Sequence, residues 1–330
     1  MYANKAVQRI MTISNSSCSE VNVTYVMSIV QYVTLIPIFI LGFILNAFAL
    51  WFFCCSMKRY TETSIYLINL AVLDFFLVLS LPIKLHFSQE GVNVSSSVCV
   101  FLQSLYFTNM YGSIYTLMFI SVDRYVAIIH PFWARVLRSR KKTLVICIII
   151  WLFVWCVALY TFRFEDQANV TCFHNMSSHT WSTGIIVSVE LFGFLIPMTV
   201  IMYCSTQIVR TLLVPVPSST KQASKATIIR IIISNLVVFL LSFSFSHMGI
   251  FLQFLVRREF ITNCSAKRHI SLFVQVALCI ANFNCCLDGL SYYFAWKGFL
   301  NRLIKNSTNV TLVDNTNTCV YQPKSTNAQF

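Results

Sequence analysis

Asp123-Arg124-Tyr125 closes the third of seven apolar blocks and is followed by a basic loop, and no other three residues of the chain combine such chemistry with such a position. An arginine at a membrane boundary is costly to bury and easily tipped between partners, which suits a conformational latch better than a scaffold. Away from the block ends, three acids lie inside apolar segments, Asp74, Glu190 and Asp288, and each must be paired, protonated or functional. If Asp74 and Asp288 lie close, the two carboxylates titrate as a pair and hold at least one proton or cation between them. The histidines at 86, 130, 174, 179, 247 and 269 are scattered without the spacing of a metal site or a nucleophile and its base. The polar residues therefore point to binding and switching, and no enzyme is expected.

The elements that must position these residues follow from composition. With 57% hydrophobic and 11% charged residues, the chain carries more apolar surface than a water-soluble fold of this length can bury. The apolar blocks run over 31–55, 63–88, 97–129, 143–162, 183–212, 226–256 and 270–294, each long enough for the roughly 20 residues that cross a bilayer core. The expected fold is an all-α membrane protein, a seven-transmembrane helix bundle over 31–295. Residues 1–30 form an extracellular glycosylated N-terminus with no cleavable leader, so helix one acts as the anchor. Residues 296–330 supply a short amphipathic eighth helix from Trp296 to Ile304 and a cytoplasmic tail.

Sidedness comes from the basic residues. The loops after the odd helices and the tail hold most of them, including Lys58, Arg59, Arg135, Arg138, Arg140, Lys141, Lys142, Arg210 and Lys225, which places the N-terminus outside a plasma membrane. The net charge of +13 then reads as a positive inner face against anionic membrane lipids rather than a nucleic-acid footprint, since no soluble basic domain exists to carry one. The sequons at Asn15, Asn22, Asn93, Asn169, Asn175 and Asn263 all fall on the outer side and are expected to be glycosylated, whereas Asn306 and Asn309 lie in the tail. Four cysteines lie outside and allow three pairings. In one of them Cys99–Cys172 pins the second outer loop over the bundle and Cys18–Cys264 ties the N-terminus to the third. The cysteines at 54, 55, 147, 156, 204, 279, 285 and 286 read as small packing residues inside helices. From Cys99 to Arg124, 25 residues at about 1.5 Å each put the two on opposite membrane faces, so one helix links the outer loop to the inner latch.

The outer half of the bundle indicates the class of ligand. Lys84, two residues after Pro82, is too far up helix two to snorkel to the cytoplasm and either reaches the outer interface or faces a cavity. Arg257, Arg258, Lys267 and Arg268 add positive charge at the rim of helices six and seven, partly offset by Glu259. Tyr106, Phe107, Met110, Phe173, His174, Phe243 and Met248 offer an aromatic and thioether wall for an acyl chain or ring. Glu190 either lines the same cavity or bonds a neighbouring helix. A cationic rim over apolar depth suits an anionic amphiphile.

Asn46 in helix one, Asn69-Leu70-Ala71-Val72-Leu73-Asp74 in helix two, Cys99 and Asp123-Arg124-Tyr125 in helix three, Trp151 in helix four, Pro197 in helix five and Asp288 to Tyr292 in helix seven together resemble the rhodopsin-like G-protein-coupled receptors. Three further segments, Cys172 to Ser177, Phe251 to Arg257 and Asn284 to Asp288, are similar to the lysophosphatidylinositol-receptor branch of that family. The resemblance implies a lysophospholipid ligand of the lysophosphatidylinositol type, with Lys84, Tyr106, Phe107, His174 and Arg257 at binding positions. It implies a sodium ion, and no other cofactor, at Asp74, Ser113, Asn284 and Asp288. It also implies a heterotrimeric G protein of the G12/13 family as partner, with Gq second and arrestin in addition. The inner groove would be built from Asp123, Arg124, Tyr125, Pro131, Phe132, the basic run Arg138 to Lys142 and Tyr292. Arg124 is expected to depend on Asp123 at rest and on Tyr292 or the G protein when active.

Departures from the family pattern set further expectations. Helix six reads Phe243-Ser244-Phe245 where proline is usual, so any bend must come from Ser242, Ser244 and Ser246 bonding back to carbonyls. In helix seven Gly289 replaces proline and should loosen the helix there. Ser205 replaces a helix-five tyrosine, and Lys225 stands at the base of helix six where an acid would lock Arg124. A receptor for another anionic ligand, a carboxylate or nucleotide, or one with reduced or constitutive signalling is the alternative. A transporter or channel is disfavoured by the lack of repeated halves and of a polar pore lining.

Overall fold

The structure is a computed structural model that describes residues 21–57, 60–87, 95–162, 179–214, 219–294 and 296–297. Among them are seven helices long and apolar enough to cross a membrane. Helix one runs Val21–Trp51 and ends in a π-helical turn, Phe52–Ser56. Helix two is Glu62–Phe87, helix three Ser96–Ile129 and helix four Arg140–Phe162. Helix five is interrupted, Thr183–Glu190, Leu191–Leu195 and Ile196–Leu213, while helix six is continuous over Ser219–Arg257. Helix seven occupies Cys264–Phe294. The bundle agrees with the blocks read from hydropathy, and the differences sit at the ends, where polar caps rather than apolar content decide.

Helix two opens on a reciprocal cap in which Thr61 N–H donates to Ser64 Oγ at 2.8 Å and Ser64 N–H donates to Thr61 Oγ1 at 3.2 Å. Helix seven starts at Cys264, six residues before its apolar block, because Asn263 Oδ1 accepts the N–H groups of Ser265 and Ala266. Charged Lys267 and Arg268 disguise that first turn in the sequence. The loop after helix three contains an unexpected helix, Pro131–Leu137, with proline at its first position, where a missing N–H costs nothing.

Pro197 explains the interruption of helix five. Lacking an N–H, it cannot serve the carbonyls one turn before it, and the chain widens into a π-helical turn closed by Ile196 N–H donating to Leu191 O. The Phe192 carbonyl is satisfied from helix three, by the Tyr115 hydroxyl at 3.0 Å. Gly193 in the same turn lies flat on the Tyr111 ring, so closely that an added methyl group would run into it.

Helix three packs against helices two, four and five; helix one lies against two and seven, and seven against six. The core between them is built from Leu70, Ala71, Ile114, Leu117, Ile120, Ile201, Phe239 and Phe243, all essentially inaccessible. Apolar side chains such as Ile36, Ile40, Ile148 and Leu152 point outward instead, the pattern of a surface made for lipid.

Of the serines expected to bond back to carbonyls in helix six, Ser246 does so. Ser246 Oγ lies 3.2 Å from Ser242 O and 3.2 Å from Ala277 O of helix seven, whereas the Ser242 hydroxyl is buried without a partner. Helix seven is irregular at Phe283, and Asn46 Nδ2 reaches across from helix one to the Cys285 carbonyl at 2.9 Å. Three cysteines expected to be packed, Cys54, Cys55 and Cys156, are exposed, and Cys286 is half-buried; Cys147, Cys204, Cys279 and Cys285 are buried as expected. Of the amphipathic stretch after helix seven only Trp296 and Lys297 are described, both helical.

Candidate functional site

At the inner end of helix three, the last helical turns bring Asp123, Arg124 and Tyr125 to the boundary, and Asp123 is nearly buried. Its principal partner is Arg138. The Arg138 guanidinium donates from Nε to Asp123 Oδ1 at 2.6 Å and from Nη2 to Oδ2 at 3.1 Å, with a further bond to Glu62 at 3.3 Å. Thr63 Oγ1 adds a bond at 3.2 Å, while Arg124 Nε stands 3.9 Å from Asp123 Oδ2. The expected Asp123–Arg124 pair is present at this longer range, and a bidentate guanidinium from the inner loop shares the carboxylate at shorter range. Partial burial opposes the charge of Arg138, but the hydrogen bond and charge of Asp123, with Glu62, outweigh it and raise the guanidinium above its ordinary value.

Around this network, Tyr125 lies against His130 and against Tyr203 of helix five, with ring centroids 5.4 and 5.8 Å apart. Tyr203, two residues before Ser205, thus meets the boundary tyrosine. Lys225 donates to the Val214 carbonyl at 2.8 Å, joining the inner ends of helices five and six by a cation on a helix C-terminus. Phe132 and Trp133 of the loop helix stand out at 83% and 65% exposure, free to meet another surface.

In the middle of the bundle Asp74, Asn284 and Asp288 are brought together, and these three and Ser113 are all buried. Asn109 Nδ2 donates to Asp74 Oδ1 at 3.3 Å, the Tyr292 hydroxyl to Asp74 Oδ2 at 3.4 Å, and Asn284 Nδ2 to Asp288 Oδ2 at 3.0 Å. The two carboxyl groups are near enough for each to feel the other's charge. Tyr292 therefore sits with this cluster, packed edge-on to Phe53, and not with Arg124. Asp288 Oδ1, Asn284 Oδ1 and Ser113 Oγ have no protein partner, a set of oxygens that fits a small hard cation. Beside them Trp151 Nε1 donates to Asn69 Oδ1 and Asn69 Nδ2 to Thr116 Oγ1, both at 2.8 Å, tying helices two, three and four.

In the outer half Lys84 turns inward, its ammonium 4.2 Å from the centre of the Tyr106 ring, and the Tyr106 hydroxyl donates to Leu278 O of helix seven at 3.3 Å. Arg257 lies over Trp181 at 5.6 Å, and Arg258 donates to Thr183 Oγ1 at 2.9 Å. Glu190 bonds a neighbouring helix, with His247 Nδ1 of helix six at 3.2 Å from its Oε2. Phe107 stacks on Tyr111 at 4.2 Å. Met110 and Phe243, expected to line the cavity, are instead buried in the main core, and Met248 is exposed on the outside of helix six. Phe173, His174 and Cys172 lie outside the described residues, as do Cys18 and the sequons at 15, 93, 169 and 175, while Asn22 is described in backbone only. Cys99 and Cys264 are disulfide-bonded, their expected partners lying beyond the described residues.

The family model for the seven-transmembrane receptors of the rhodopsin family matches residues 45–292, three quarters of the chain. The chain belongs to this rhodopsin family of receptors. G-protein coupled receptor 55 of Mus musculus is 43% identical over 303 residues, 87% of this chain and 92% of the relative. Lysophosphatidic acid receptor 6 of Mus musculus is 35% identical over 267 residues, covering 78% of each chain, and G-protein coupled receptor 35 of Homo sapiens is 34% identical over 271 residues, 81% and 84%. A rhodopsin-family receptor is a multi-pass membrane protein and not an enzyme.

For this receptor, two residues of these networks are not singled out by the sequence. Arg138 was visible only as one member of a basic run, and nothing in the run singles it out as the partner of Asp123. His247 is inaccessible, stacked on Phe194 at 4.5 Å and met edge-on by Tyr111 at 5.8 Å. A histidine in an otherwise apolar block was the available signal, and its pairing with Glu190 depends on how helices five and six meet.

Proposed function

We propose that this receptor responds to an anionic lysophospholipid of the lysophosphatidylinositol type and signals through G12/13, with Gq as a second partner. The observation that carries the reading is Lys84, an ammonium held inside the outer half of the bundle on the Tyr106 face. An ammonium so placed lends positive charge to the outer half of the bundle, and an anionic headgroup is the ligand group that such charge favours. Arg257 at the rim adds a field that draws an anion inward, and the apolar side chains below suit an acyl chain. The similarity to a receptor named for lysophosphatidic acid supports the same ligand class. On this reading the N-terminus and its sequons face outward, and Phe132 with the helix-three boundary forms the G-protein groove, open also to arrestin. A sodium ion would be held by Asp74, Asp288, Asn284 and Ser113, where it would neutralise the paired carboxylates.

The test expresses the full chain with a G12/13 dissociation sensor and adds lysophosphatidylinositol, comparing wild type with Lys84→Ala and Arg124→Ala at matched surface expression. Wild type responds, Lys84→Ala loses potency and Arg124→Ala loses output. An equal response from wild type and Lys84→Ala defeats the anionic-pocket reading.

A further inference from the structure

Among the buried polar atoms without a partner in the described residues, three lie on facing helices of the outer half: Glu190 Oε1, His247 Nε2 and the Tyr111 hydroxyl. They belong to one cluster. His247 is bonded to Glu190 through Nδ1 at 3.2 Å, Tyr111 meets the imidazole edge-on at 5.8 Å, and Phe194 covers its face at 4.5 Å. His247 and Tyr111 are 1% and 3% exposed, so bulk water does not satisfy them. Clamped on its face, on its edge and at Nδ1, the imidazole keeps one orientation, and the π-helical turn of helix five that begins at Leu191 supplies both Glu190 before it and Phe194 within it. Geometry, not flexibility, leaves the three valences open.

Their chemistry restricts what fits. With Nδ1–H donating to Glu190 in the neutral ring, Nε2 is an acceptor, Glu190 Oε1 is an acceptor, and only the Tyr111 hydroxyl both gives and takes. An acceptor-rich set beside a carboxylate repels phosphate and carboxylate. A cationic amine is opposed by the positive field of Arg257 and Arg258 at the outer end of helix six. Neutral hydroxyl donors remain.

We infer that Glu190, His247 and Tyr111 form a hydroxyl-reading subsite for a polyol headgroup, separate from the Lys84 subsite that takes the ligand's anion. The inference rests on the lysophospholipid reading above and sharpens it: the headgroup must present hydroxyls besides its phosphate. A site built to bond hydroxyls rejects an analogue that lacks them more strongly than an apolar pocket rejects an extra group.

The test measures binding to membranes carrying the full chain, as displacement of labelled lysophosphatidylinositol by itself and by lysophosphatidic acid of the same acyl chain. Wild type is compared with Tyr111→Phe, which keeps the ring packing on Gly193, with Glu190→Gln and with Lys84→Ala. Expected are a roughly tenfold loss of affinity for the inositol lipid in Tyr111→Phe and Glu190→Gln and a change below about twofold for the phosphate monoester. Lys84→Ala weakens both lipids. Equal shifts for the two lipids, or no shift for the inositol lipid while Lys84→Ala still abolishes binding, overturn the subsite alone and leave a buried structural cluster holding water. If wild type binds neither lipid at full surface expression, the lysophospholipid reading fails and the subsite with it. A tenfold loss for a lysolipid amine in Glu190→Gln, with no loss for the inositol lipid, assigns the cluster to a cation instead and refutes the polyol.

Discussion

Arg138→Ala should lower, not raise, ligand-free signalling. In the structure Arg138 holds Asp123 by two bonds while Arg124 waits at 3.9 Å from the same carboxylate, so the two guanidinium groups compete for one counter-ion. Removing Arg138 lets Arg124 close on Asp123. At an effective dielectric of about 20, a unit charge pair gains roughly 1.7 kcal/mol on moving from 3.9 Å to about 2.8 Å, and ordering of a side chain a quarter exposed halves that to about 1 kcal/mol. The result is a roughly fivefold tighter hold on Arg124 and a similar fall in the active fraction at rest. The assay is ligand-free G-protein dissociation at matched surface expression, with Asp123→Asn as background: Arg138→Ala should be silent there, because its effect passes through the carboxylate. A rise in basal signalling on Arg138→Ala would refute the reasoning, since it would make the Arg138 contact itself the restraint. So would an unchanged effect in the Asp123→Asn background.

Other contacts give sharper single tests. Trp151→Phe strands Asn69 Oδ1 in the core and should destabilise the detergent-solubilised receptor by about 1–3 kcal/mol, read as a fall in its thermal midpoint; an unchanged midpoint would show that the Asn69 bond at 2.8 Å contributes nothing. Gly193→Ala drives a methyl into Tyr111 and should cost about 1–3 kcal/mol, with Tyr111→Ala restoring space; a tolerated alanine in the wild-type background means that the π-helical turn can shift. If sodium occupies the Asp74–Asp288 cluster, replacing sodium by a bulky organic cation should raise agonist affinity in wild type and leave Asp288→Asn unmoved, and equal salt responses in both would dismiss the ion.

Much of the site was legible because its residues are expensive where they stand. Asp74 and Asp288 announce themselves as acids inside apolar blocks, and their meeting across helices two and seven follows once each demands a partner. Lys84 is legible for the same reason. Met110 and Phe243 show the limit: an aromatic or thioether residue in an apolar helix carries no mark that distinguishes a cavity wall from a core, and the packing of helices three, five and six buries both. Cys54, Cys55 and Cys156 mislead in the opposite direction, since in a membrane an exposed face is as apolar as a buried one and hydropathy cannot separate them.

By itself, the sequence determines the seven spans and the charged residues that stand inside them, because bilayer thickness and the cost of burying charge act on residue type and spacing alone. The tertiary structure decides who partners whom: Arg138 beside Arg124 on Asp123, Tyr292 on Asp74, His247 on Glu190, and a break in helix seven at Phe283. Those are contacts between segments as many as 239 residues apart, as for Asn46 and Cys285, and they depend on the rotation of each helix about its own axis, which packing sets and hydropathy does not record.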